Sequence, residues 1–82
     1  MEIQHLVNTV KENEIKIEEL RQSIKDLYED NSIRFSESKN TVTPEIQENY
    51  KKIDSTFTAK AKLEAEVRSL QKQILSVVLG EQ

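Results

Sequence analysis

Residues Ile3, Leu6, Val10, Ile17, Leu20, Ile24 and Leu27 follow one another at alternating steps of three and four, with Asn13 and Asn31 filling the remaining places on the same stripe. This is the a/d pattern of a helix that packs along one side, sustained for about four heptads. No Gly or Pro interrupts it. A strand would bury every second residue, so the spacing excludes a sheet and predicts a helix over about residues 2–35.

The pattern fades through Ser36-Glu37-Ser38-Lys39-Asn40-Thr41, a polar stretch with turn chemistry. Thr43-Pro44-Glu45 follows. A Thr hydroxyl caps a helix start, Pro tolerates the first helical position because its missing N–H needs no partner there, and Glu favours the positive end of the helix dipole. The turn is therefore expected over about residues 36–43 and a second helix over about 44–79, with Gly80 as its stop. Its heptad frame runs through Ile46, Asn49, Ile53, Thr56, Lys60, Leu63, Val67, Leu70, Ile74 and Val77. Lys60 is the odd member: either it snorkels its charge outward, or, as the commoner arrangement, the frame shifts locally and turns Ala61 inward instead.

Two helices joined by about eight residues pack as antiparallel neighbours. With the reversal centred near Asn40, Ile3 meets Val77, Leu6 meets Ile74, Val10 meets Leu70, Ile17 meets Leu63 and Leu27 meets Ile53. Each of these layers pairs an a with a d position, as antiparallel packing requires. Asn13 then faces Val67 and Asn31 faces Asn49, polar seam positions of the kind that fix register at a cost in stability. The flanking g positions bring Lys16 to Glu66 and Asp30 to Lys52, both attractive, while Glu14 approaches Glu64. The expected fold is all-α: one antiparallel two-helix coiled-coil hairpin spanning 1–82, assembling into a bundle of three or four helices.

Assembly is expected because a chain of 82 residues buries little surface on its own, and with no Cys there is no disulfide to reinforce it. The e positions supply a surface for it. Val7, Tyr28 and Phe35 occupy them on the first helix, and Tyr50, Phe57 and Val78 on the second, with Leu75 and Leu79 further round. In an antiparallel pair both e rows share one edge, so all four aromatic residues gather there. These eight residues are the candidate protein interface.

Other chemistries find little footing. The one His has no Cys or second His beside it, so neither a metal nor a cofactor is expected. Carboxylates such as Glu18-Glu19 and Asp26, Glu29 and Asp30 read as solvated helix charge, and no catalytic constellation can be assembled. A net charge of -3, with Lys51-Lys52 and Lys60 and Lys62 as short basic clusters among acids, does not make a nucleic-acid-binding face. No run approaches the ~20 apolar residues of a membrane span, and the N-terminus lacks a signal-peptide pattern. Absence of Cys fits any redox compartment, so cytoplasm or nucleus is only the default expectation. The apolar Leu75–Leu79 stretch near the end is what a fragment of a longer chain would show.

In outline the chain is similar to tubulin-binding cofactor A, small type III secretion chaperones, kinetochore coiled-coil subunits and the N-terminal coiled coil of hantaviral nucleocapsid proteins. The likeness rests on length and heptad pattern and on no distinguishing motif, so it assigns no family. The expected function is a non-enzymatic protein–protein interaction and assembly module whose partner is a second copy or another helical chain. The alternative is a small chaperone or adaptor holding one client as a heterodimer.

Overall fold

The computed structural model describes residues 3–80. It consists of α1 (Ile3–Glu37) and α2 (Pro44–Val78), folded back on each other as an antiparallel helical hairpin 61 Å long and 15 × 13 Å in section. Those dimensions are those of two 35-residue helices side by side.

The turn is built as its residues dictate. α1 runs two residues further than the polar stretch implied, through Ser36 and Glu37, because its end is set by backbone handedness and not by polarity. Lys39 and Asn40 both adopt positive φ, 56° and 63°. The amide of Asn40 then donates to the Phe35 carbonyl at 2.9 Å and that of Lys39 to the Ser36 carbonyl at 3.2 Å. This pair of reversed bonds is the Schellman closure, here with Lys where Gly is usual. At the start of α2 the Thr43 backbone is extended, and its Oγ1 accepts a hydrogen bond from the Ile46 amide at 3.3 Å. Pro44 occupies the first turn of α2, where it removes no helical bond.

The seam follows the heptads. Leu6, Val10, Asn13, Ile17, Ile24 and Asn31 of α1 are buried, as are Ile46, Asn49, Ile53 and Val67 of α2. Val10, Ile17 and Val67 form one cluster with Leu63, Leu70 and Ile74 packed against it. Near the turn, Ile46 and Ile53 are the most enclosed side chains, each 2 % exposed. The outermost layer stays open, since Ile3 and Val77 are both exposed. Nothing beyond the helix ends covers them among the described residues.

Two expectations, one about Lys60 on the seam and one about the flanking Lys16–Glu66 pair, need correction. Lys60 keeps its place on the frame, with a side chain 17 % exposed, and Ala61 faces solvent. No frame shift occurs because the long side chain bends outward to reach Glu64 Oε1 at 3.3 Å, covering the seam with its methylenes. Glu66 is not bound by Lys16 but accepts a hydrogen bond from Asn13 Nδ2 at 3.1 Å. A short, buried amide already on the seam reaches that carboxylate at less entropic cost than a long surface lysine.

Candidate functional site

The register is set at the turn end by a small polar network. Asn49 Nδ2 donates to Asn31 Oδ1 at 2.9 Å and to Asp30 Oδ2 at 2.7 Å, and Asp30 Oδ2 also accepts from Arg34 Nε at 2.7 Å. The hydrogen bond from Arg34, then the one from Asn49, hold the Asp30 carboxyl below its ordinary range. Lys52 contributes only through its charge at longer range and not as a direct partner. Both interhelical contacts, and the Asn13–Glu66 bond, join residues placed symmetrically about Asn40 to within a residue. That confirms the expected register.

On the other side of Asn31 lies the aromatic edge. Tyr28, Ser32 and Phe35 from α1, with Val42 from the turn and Ile46 and Tyr50 from α2, surround an open groove of about 410 Å³. The heptad phase explains the gathering. Tyr28 and Phe35 are two turns apart on one face of α1, and the reversal brings Tyr50 alongside them. The lining is mostly apolar, and the rings remain 40–49 % exposed. Asn31 also borders the groove, and its Nδ2 is a buried donor without a partner. Its Oδ1 is committed to Asn49, so the free N–H is directed away from the network.

The eight expected interface residues do not form one patch. Tyr28, Phe35 and Tyr50 share the groove. Phe57 lies two turns further along α2, exposed, with the Lys60 ammonium 5.9 Å from its ring centre. Val7 is half-buried at the open end, while Leu75, Val78 and Leu79 are strongly exposed there. Thus the edge carries an aromatic patch at the turn end and an aliphatic patch at the open end. Between them lie charged residues, including Glu14, Glu18, Arg21 and Lys25 on α1.

Val42 belongs to the groove and was not among the expected residues. Its only sequence signal was an apolar side chain inside an otherwise polar turn. The opposite edge is different in kind. A second cleft there, of about 340 Å³, is bordered by Arg34, Pro44, Glu45, Glu48, Asn49 and Lys52, a mixed-charge, solvated surface. Among the described residues no group of three or more His, Asp or Glu side chains is placed to hold a metal ion. No described helix is long and apolar enough to cross a membrane.

Comparison of the chain with family models, with curated proteins and with solved structures finds no match.

Proposed function

We propose that this hairpin is a non-enzymatic protein–protein interaction and assembly module that docks helices along its Tyr28/Phe35/Tyr50 edge. The observation that carries the reading is the exposure of those three rings, with Val42, around one groove on a molecule whose own core is a single seam. Grouped exposed aromatic side chains are characteristic of binding surfaces, and Tyr and other large aromatic residues carry a disproportionate share of interface energy. The seam itself is enclosed by the two helices, but Tyr28, Phe35 and Tyr50 beside it remain 40–49 % exposed, so a third or fourth helix on this edge would add burial that the chain cannot supply itself.

The test is a triple variant, Phe35→Ser/Tyr50→Ser/Phe57→Ser, compared with the parent chain by circular dichroism and sedimentation velocity. The variant is expected to keep its helix content and lose association, with itself or with a partner co-purified from the native source. A parent chain that is a stable monomer with no stoichiometric partner, or association that survives the triple variant, would count against the proposal.

A further inference from the structure

Building on that reading, we infer that the occupant of the edge is a second copy of this chain, packed antiparallel to the first. The inference comes from how charge and shape are distributed along the edge. Face-to-face packing about an axis perpendicular to the helices sets α1 against α1 of the copy and α2 against α2, each running in opposite directions.

On α1 the exposed e and b positions include Glu14, Glu18, Arg21 and Lys25. Reversed upon themselves about a point between residues 19 and 20, they place Glu18, which also pairs with Arg21 of its own chain, against Arg21 of the copy, and Glu14 against Lys25 of the copy. Symmetry makes each contact twice. On α2 the corresponding exposed positions include Asp54, Ala61 and Arg68. Reversal about Ala61 places Asp54 against Arg68, with the small Ala61 on the axis, where two helices could approach closely. The two centres rest on different residues of the two helices. The Asn31–Asn49 bond sets Ala61 level with Glu19, so both lie at one height and a single two-fold axis serves both.

The same operation matches the ends. It carries Val7 of one copy to the level of Ser32 of the other, between Tyr28 and Phe35 in the groove wall. It carries Leu75 and Val78 to the level of Gln47 and Pro44, beside Val42. The aliphatic patch of each copy thereby covers the aromatic patch of the other, and one interface closes both. A parallel arrangement fares worse. It sets α1 against α2 at equal height, where Lys11 meets Arg68 and Glu64 falls between Glu14 and Glu18, with only Lys25 and Asp54 in compensation. Like charges held opposite one another disfavour a pairing.

Cross-linking of the full chain tests the arrangement. The sequence contains no cysteine, so introduced ones have no competitors. Chains carrying Val7→Cys and chains carrying Ser32→Cys are mixed and oxidised. Within one chain these positions are about 37 Å apart along α1, far beyond the ~7 Å a disulfide spans. The expected result is a covalent heterodimer of the two chains and a solution mass twice that of one chain. In a second measurement Glu14→Lys weakens the dimer at least fivefold, and Glu14→Lys/Lys25→Glu restores it.

A monomer at all concentrations overturns the inference, and so does a dimer that forms no link between positions 7 and 32. If association is abolished by Phe35→Ser/Tyr50→Ser/Phe57→Ser yet the cysteines do not link, the arrangement falls and the assembly role stands. If association is indifferent to that triple variant, both fall.

Discussion

Asn49 reaches across the hairpin to donate a hydrogen bond to Asn31, 2.9 Å away, with the buried Ile46 and Ile53 on either side of it along α2. The two carboxamides are buried, and the arrangement satisfies Asn49 more fully than Asn31, whose own Nδ2 has no partner. Sliding the helices by one heptad breaks this bond, setting Asn49 against Ile24 in one direction and Asn31 against Thr56 in the other. The pair thus selects the register that the apolar layers alone would permit among several.

The first prediction follows from that asymmetry. Asn49→Leu leaves the whole Asn31 carboxamide unpaired and is expected to destabilise the hairpin by about 1–3 kcal/mol. Asn31→Leu/Asn49→Leu removes both polar groups and should recover the loss or exceed the parent. Urea denaturation followed by circular dichroism measures both, and equal losses for the single and double variants would show that the two residues do not act as a pair.

Ile53 and Phe57 lie one turn apart on α2 with opposite surroundings. Ile53 is 2 % exposed, Phe57 44 %. Ile53→Ala is expected to cost about 2–5 kcal/mol, through lost burial and the cavity left on the seam. Phe57→Ala should change the stability of an isolated hairpin by less than about 1 kcal/mol, and its effect should grow with protein concentration if the edge is covered by association. Denaturation at two protein concentrations, a hundredfold apart, separates these cases.

Lys60 occupies a seam position yet keeps its charge by bending to Glu64, whose carboxylate retains 38 % exposure. An ion pair with one member that exposed contributes under about 1 kcal/mol. Lys60→Met keeps the length of the side chain and places its end in the seam. It is expected to raise stability by about 1 kcal/mol, seen as a higher midpoint in thermal melting. A lower midpoint would mean that the Glu64 contact, or the one over Phe57, matters more than seam burial.

Acid should weaken the turn end first. The Asp30 carboxyl is held below its ordinary value, chiefly by the hydrogen bond from Arg34 and next by that from Asn49. Glu45 is lowered too, by a bond from its own backbone amide and then by the Thr43 hydroxyl. A carboxylate whose folded value lies below its unfolded value contributes stability above the unfolded pKa, and that contribution disappears as pH falls through the folded one. Stability should therefore decline on acidification below the ordinary carboxylate range. Asp30→Asn is expected to be less stable at neutral pH and to lose less on acidification, which thermal melts across the acid range would report.

Much of the hairpin could be read directly from its residues. Alternating steps of three and four placed both helices, Thr43-Pro44 marked the start of α2, and symmetry about Asn40 paired Asn31 with Asn49. The end of α1 was less legible. A Schellman closure with Lys39 in a left-handed conformation is not what composition announces, because a glycine is the usual signal there.

What the amino-acid order determined by itself was everything local geometry transmits: helix faces, one helix start, the side on which Tyr28, Phe35 and Tyr50 stand. What only the tertiary structure decided was which groups far apart in the chain come within bonding distance. Glu66 bonds to Asn13 and not to Lys16, Lys60 stays on the seam by way of Glu64, and Val42 joins the aromatic groove from the turn. The physical reason is that a period fixes direction to within a fraction of a turn, whereas a hydrogen bond requires positions accurate to a few tenths of an ångström. That accuracy comes only from packing one helix against the other.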